Sequence, residues 1–187
     1  ENDPRAALLG EWQYGAGKGC DNLVMITLGT GIGGAALIEG KLLRGKHFQA
    51  GCLAGHFTID YKGPKCNCGN IGCGEQIAST HVLSQMVQSN PLFPASKLAK
   101  AEVIDYKTVF AIASQGDKLA IEIVAQSLEV WSAVIISQIH AYDPEKTAPR
   151  LRSGRPSCPR RRRHRSVGHA LPRRRPDGGD GPGCFRG

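Results

Sequence analysis

The sequence predicts an α/β domain followed by a tail of different composition. Three observations carry this. A short apolar, β-rich run, Leu23–Leu28, is separated by a glycine turn from a second run, Ala35–Ile38. Between Asp117 and Ala141, apolar residues recur at helical spacing. After Ala148 that periodicity stops, and Arg, Pro and Gly dominate.

The elements follow in order. Asp3 is a good N-cap and Pro4 suits a first helical position, so a helix is expected to run on to Tyr14, with Ala6, Leu8, Leu9 and Trp12 as buried candidates. Gly15 and Gly17 end it. Leu23–Leu28 reads as a buried strand, Ala35–Ile38 as a second and Leu42–Leu43 as a third after the turn Glu39-Gly40-Lys41. Strand, glycine turn, strand disfavours a dinucleotide-binding unit, which needs a helix after the glycines. Helices are expected over Gln76–Val87, Asp105–Ser114 and Asp117–Ala141. In the last, Ala120, Ile123, Val124, Ser127, Val130, Trp131, Val134, Ile135 and Ile139 keep helical spacing, and Asp143-Pro144 stops it.

Length and charge bound the function. The 187 residues suffice for one domain with a core. The net charge of +8 hides two unlike parts. Leu151–Gly187 holds eleven arginines, no lysine and two aspartates, or +9, which leaves −1 for the rest. The near-neutral body does not support nucleic-acid binding, and the tail offers only non-specific phosphate contacts. Residues 149–187 cannot bury enough apolar surface to offset ordering entropy and are expected to be disordered. No stretch reads as a membrane span, and no signal peptide opens the chain, so a cytoplasmic protein is expected. The chain opens on Glu1 rather than Met, which suggests a fragment or a processed product.

Seven cysteines are present, an odd number that does not suit a closed disulfide framework. Three of them crowd into Cys66-Asn67-Cys68-Gly69-Asn70-Ile71-Gly72-Cys73-Gly74-Glu75. Tetrahedral zinc takes four thiolate or imidazole ligands. Cys66, Cys68 and Cys73 supply three, and His56, ten positions earlier, is the nearest sensible fourth. Four protein ligands leave no open position, which points to structural zinc. The alternatives are a C-x-C disulfide, which closes a very small strained ring, and three free structural thiols. The string Gly29-Thr30-Gly31-Ile32-Gly33-Gly34 has two readings. It is a tight hairpin turn, or it is a phosphate cradle in which backbone N–H groups and the Thr30 hydroxyl meet phosphate oxygens.

Taken in order, Asn2-Asp3, the run Leu28–Ala35, Gly55-His56 and the cysteine turn resemble the ROK family (repressors, open reading frames and sugar kinases) of the actin-like ATPase, ribonuclease H-like superfamily. The resemblance covers Glu1 to about Lys146, within an expected partial sugar-kinase domain of residues 1–148. It implies two lobes around a cleft, of which this chain holds the large C-terminal lobe with its zinc-binding turn, in part. It further implies ATP-dependent phosphorylation of a hexose or amino-sugar hydroxyl, as in glucokinases, fructokinases and N-acetylmannosamine kinases. Asn2 and Asp3 would bind the sugar, and Asp3 would be the general base. Gly29, Thr30, Gly31, Gly33 and Gly34 would contact the nucleotide phosphates. His56 and Glu75 would reach the sugar, and His56, Cys66, Cys68 and Cys73 would hold structural Zn2+. ATP and Mg2+ would serve as cosubstrate and cofactor, and the complete enzyme would be a homodimer. Considered from the residues alone, N-capping is the preferred explanation of Asp3, being much commoner than catalysis for an Asp before Pro, and a surface position at a helix start explains Glu75. The alternative within the family is the sugar-sensing domain of a transcriptional repressor.

Three departures stand out. Leu53 occupies the place of a sugar-binding glutamate in Cys52-Leu53-Ala54-Gly55-His56. The family's amino-terminal lobe, with its Asp-x-Gly-Gly-Thr motif, does not precede Glu1. After Asp143-Pro144-Glu145-Lys146 a strand and a Gly-Gly-Gly loop are replaced by Thr147-Ala148-Pro149-Arg150 and the arginine tail. A shifted reading frame in a GC-rich gene would produce such a tail, and the fragment is expected not to catalyse by itself.

Overall fold

The central strand of the domain is apolar at five of six positions and is buried at all six. The computed structural model describes residues 2–151. Most of the predicted tail, 149–187, therefore lies outside the described residues. The elements are α1 (Asp3–Tyr14), β1 (Leu23–Leu28), β2 (Ile32–Ile38), β3 (Lys41–Leu42), α2 (Gly74–Ala78), α3 (Thr80–Gln88), α4 (Tyr106–Ala113), α5 (Lys118–Tyr142) and β4 (Lys146–Leu151). Single 3-10 turns lie at Ala54–His56, Phe93–Ala95 and Lys97–Lys100.

The sheet order is β3-β2-β1-β4. β1 and β2 form an antiparallel hairpin, with Leu23 opposite Leu37 and Leu28 opposite Ile32. β4 lies parallel to β1, with Leu23 opposite Lys146. Side-chain alternation along β1 serves two cores. Leu23 and Met25 pack with Leu8, Ala35 and Leu37 beneath α1. Val24, Ile26 and Leu28 pack on the other face with Leu83, Val109, Ile123, Trp131 and Val134. Each such aliphatic side chain contributes about 1.5–3 kcal/mol when fully buried.

Local chemistry sets the helix ends. Asp117 caps α5, its carboxylate accepting from the Ala120 N–H at 3.0 Å, and Asp105 caps α4 through the Thr108 N–H at 2.8 Å. Asp143 closes α5 in the left-handed conformation. Inside the core, the Trp131 indole and the Tyr106 hydroxyl both donate to the Ala78 carbonyl, at 2.8 and 3.0 Å. Those bonds pin the end of α2 to α4 and α5, close to the cysteine turn.

Several expectations are corrected. Asn2, not Asp3, is the N-cap of α1. Its side-chain oxygen accepts from the Arg5 N–H at 3.3 Å, and Asp3 is the first helical residue. Ala6 is exposed. The buried face of α1 carries Leu8 and Arg5, whose guanidinium donates to the Phe48 and Ala50 carbonyls at 3.0 and 3.1 Å. The single helix expected over Gln76–Val87 is two, broken at Ser79, whose extended backbone redirects the chain. β2 starts at Ile32, three residues earlier than expected. α5 does meet the length and composition of a membrane span, contrary to expectation, with mean hydropathy 1.7 in its most apolar window. One of its faces, with Leu119, Ile123, Ser127, Val130 and Val134, is buried in the domain.

The last correction concerns β4. The body does not lose regular structure at Ala148, because the strand continues to Leu151. Pro149 stands opposite Ile26, where an edge strand tolerates a missing donor. Glu145 secures the register. Its Oε1 accepts from the Asn22 N–H at 2.8 Å and the Asp21 N–H at 2.9 Å. Those bonds, the one from Asn22 first, hold its carboxyl below the ordinary range.

Candidate active site and metal centre

The cysteine turn closes on itself as the spacing suggested. Ligand atoms of His56, Cys66, Cys68 and Cys73 all lie within 4.8 Å of one another. Cys68 Sγ is 3.6 Å from Cys73 Sγ, and Cys66 Sγ is 3.6 Å from His56 Nδ1. A tetrahedral Zn2+ with bonds near 2.3 Å to sulfur and 2.0–2.1 Å to nitrogen spaces its ligands by about 3.5–3.8 Å. Two pairs already have that spacing, and the remaining separations, none above 4.8 Å, need only a small contraction to close around such an ion. All five cysteines among the described residues are free.

Backbone bonds build this turn. The Gly69 N–H donates to the Cys66 carbonyl at 3.0 Å, and the Cys66 N–H to the Asn70 carbonyl at 2.8 Å. Gly69 and Gly72 take φ of +93° and +67°, conformations that side chains rarely adopt. The two halves of the turn differ electrostatically. Burial pushes the Cys73 thiol up to about 12, and its sulfur neighbours push in the same direction. The Asn70 backbone N–H draws the exposed Cys68 thiol down from its ordinary value.

Cys73 is also the residue before α2, and Glu75 is that helix's second residue. Glu75 Oε2 accepts from the Ile32 N–H at 2.8 Å, where the glycine turn enters β2. Glu75 Oε1 lies 3.8 Å from His56 Nε2, too far for a hydrogen bond. His56 thus presents Nδ1 to the cysteines and Nε2 to the glutamate.

The glycine string is a hairpin connection, so the turn reading holds for its local form. Gly29, Thr30 and Gly31 join β1 to β2, while Gly33 and Gly34 lie inside β2. The Gly34 N–H donates to the Cys52 carbonyl at 3.3 Å, and the Gly29 N–H to the Gly31 carbonyl at 2.9 Å. The exposed tip is Thr30. A Cβ on Gly33 would meet Pro4 Cγ at 2.6 Å, and a Cβ on Gly31 would collide with the Glu75 carboxylate. These approaches show what the hairpin collects. The start of α1, carrying Asn2 and Asp3, lies against Gly33, and Glu75 with His56 behind it lies against Gly31. Pro4, the residue after Asp3, and Glu75, facing His56, therefore meet the same hairpin at Gly33 and Gly31. Leu53 is exposed, three residues before His56.

A model of the ROK family matches residues 1–148. The chain belongs to the ROK family. It is 37% identical over 150 residues to a glucokinase of Thermotoga maritima, covering 78% of this chain and 47% of that enzyme. The structure of a ROK family glucokinase from Streptomyces griseus in complex with glucose and AMPPNP matches with TM-score 0.67 and 33% identity, over 81% of this chain and 51% of that one. A ROK family transcriptional regulator, a homolog of the E. coli MLC protein, matches with TM-score 0.68 and 35% identity, over 79% of this chain and 37% of that one. The chain spans about half the length of the kinases it matches. Its sheet and helices are part of the actin-like ATPase fold that ROK hexokinases share.

Sequence reasoning missed four contributors in this ROK domain, three backbone amides and one arginine. The Ile32 N–H and the paired N–H groups of Thr80 and His81, which donate to the Gly29 and Thr30 carbonyls at 3.1 and 3.0 Å, carry no side-chain signature. Arg5, which ties α1 to the loop leading to Gly51, had no visible partner along the chain.

Proposed function

We propose that this chain is part of an ATP-dependent sugar kinase that phosphorylates a hydroxyl of a hexose or amino sugar. The observation that supports this best is the convergence on one hairpin of the α1 start and Glu75, each against its own glycine. A sugar hydroxyl is a weak nucleophile, so a carboxylate at the site must take its proton as the phosphoryl group transfers. Asp3, exposed in the first turn of α1, is suited to that task. Asn2 would add a polar contact to the sugar.

The 3.8 Å gap between His56 Nε2 and Glu75 Oε1 admits a hydroxyl that accepts from the first and donates to the second. His56, Cys66, Cys68 and Cys73 would hold Zn2+, which would fix the His56 tautomer with its proton on Nε2. Mg2+-bound ATP would bring its phosphates to the hairpin tip, where the Thr30 hydroxyl and the Thr30 and Gly31 N–H groups would donate to them. Leu53 gives this site an apolar side chain beside the histidine and reshapes the set of sugars accepted.

The test is calorimetric titration of the zinc-loaded chain with a panel of hexoses and N-acetyl hexosamines, with and without a non-hydrolysable ATP analogue. A saturable sugar signal that weakens at least tenfold in His56→Ala supports the reading. Sugar binding indifferent to Asn2, His56 and Glu75 substitutions would sink it. The likeness to a transcriptional regulator favours a second reading, a sugar-sensing module. Sugar binding without any nucleotide binding in the complete protein decides for it.

A further inference from the structure

We infer that Glu75 is a positioning residue for the hairpin that meets the phosphates, and that the metal turn holds it in place. The inference rests on the kinase reading for its consequence but on the structure for its mechanics. Three hydrogen bonds run from the segment after Cys73 to the hairpin. The Ile32 N–H donates to Glu75 Oε2 at 2.8 Å. The Thr80 N–H donates to the Gly29 carbonyl at 3.1 Å, and the His81 N–H to the Thr30 carbonyl at 3.0 Å. Gly29, Thr30 and Ile32 are thus gripped through their backbones, and a Cβ on Gly31 would meet the Glu75 carboxylate.

The break at Ser79 is what makes this possible. A continuous helix would spend the Thr80 and His81 N–H groups on its own carbonyls. Restarting the helix at Thr80 leaves them as the unsatisfied first donors of α3, aimed at the turn.

The other end of this segment is the metal turn. Cys73 Sγ lies 3.5 Å from the His56 carbonyl, and the Gly74 N–H donates to the Phe57 carbonyl at 3.1 Å. α2 is five residues long and starts directly at Cys73. With the four ligands closed around an ion, Cys73 is fixed to His56, and Glu75, two residues on, is fixed against the hairpin. With the ligands open, the first turn of α2 keeps the bond from Gly74 to Phe57 but loses the tie through Cys73, and the Ile32 bond is the first to weaken. The metal turn then reports to the phosphate side of the site as well as to the sugar side.

The experiment is amide hydrogen exchange on the zinc-loaded chain, read at Ile32, Thr80 and His81, with amides in the middle of α5 as the folding control. Glu75→Ala should speed Ile32 exchange roughly ten- to hundredfold, the worth of one hydrogen bond to a charged acceptor. Zinc content and α5 exchange should stay as in the wild type. Glu75→Gln keeps an acceptor oxygen and should move Ile32 much less. Removing zinc with a chelator should speed all three site amides. Wild-type exchange at Ile32 in Glu75→Ala, or site amides indifferent to chelation, overturns the inference.

Titration with the Mg2+ complex of an ATP analogue adds the functional arm. Glu75→Ala should weaken it at least threefold, while Glu75→Gln keeps nucleotide affinity and loses sugar affinity. A faster Ile32 with unchanged nucleotide affinity would leave a purely structural brace and remove the positioning role. A complete kinase that binds no nucleotide at all, yet shows the exchange pattern, would refute the kinase reading and leave the brace standing.

Discussion

Gly72→Ala should cripple the metal turn, while Gly69→Ala, three residues away, should be mild. Both glycines have positive φ, +67° and +93°, so each alanine meets a left-handed backbone cost of about 1 kcal/mol. Their surroundings differ. A Cβ on Gly69 has nothing within 4 Å, whereas one on Gly72 would overlap the Asp60 carbonyl. Relief requires the turn to move from the 59–60 segment. That movement strains three bonds: Gly72 N–H to the Pro64 carbonyl at 2.8 Å, and Ile59 and Asp60 N–H to the Gly72 carbonyl at 2.7 and 3.2 Å. At roughly 0.5–1.5 kcal/mol net for each bond, Gly72→Ala should cost about 3 kcal/mol or more in total. In a domain of this size 1 kcal/mol moves Tm by about 2–4 °C. Thermal unfolding of the zinc-loaded chain should therefore shift down by about 6–12 °C for Gly72→Ala and about 2–4 °C for Gly69→Ala. Metal analysis should show reduced zinc in the first variant, because Cys73 is the next residue. Equal shifts in the two variants would refute the packing argument and leave only backbone strain.

Other outcomes follow from the same geometry. Purified chain should carry about one Zn2+, and a His56→Ala, Cys68→Ser double variant should carry none by elemental analysis. Zinc uptake should release protons and weaken as pH falls, because the Cys73 thiol, pushed up to about 12, must lose its proton to bind; calorimetry in buffers of different ionisation heat measures this. In a complete kinase, Asp3→Asn should lower turnover roughly 10²–10⁴-fold with Tm unchanged, since the cap is Asn2; Asn2→Ala should cost about 1 kcal/mol of stability in urea unfolding. Burial would raise the Asp117 carboxyl, but bonds from the Ala120 and Lys97 N–H groups and the Ser96 hydroxyl outweigh it and lower it. A lowered folded value means that its contribution is complete above the unfolded value near 4 and is lost as pH falls through the folded one, so Asp117→Asn should flatten the stability profile below about pH 4.

What could be read along the chain was what short-range chemistry decides. β1 was legible because a run of six β-rich residues has one stable place, between two cores. α5 was legible to within a residue because Asp117 caps it and Asp143-Pro144 ends it. The clustering of three thiols was legible because Cys66, Cys68 and Cys73 sit in one turn, closed by its own backbone bonds.

The remainder depended on partners far along the chain. Lys146–Leu151 carries a proline and no alternation, so nothing local marks a strand; β1, more than a hundred residues earlier, supplies its bonds. Ser79 breaks a helix that periodicity would continue, because the Gly29 and Thr30 carbonyls take the next two donors. Arg5 is buried because the 48–50 loop brings two carbonyls to it. The sequence by itself determined which residues could bind a metal, start a helix or fill a core, since those are properties of side chains and their near neighbours. Only the tertiary structure decided that Glu75 closes on the Ile32 amide and that α1 lies against Gly33, because a backbone N–H looks the same at every position until the fold chooses its acceptor.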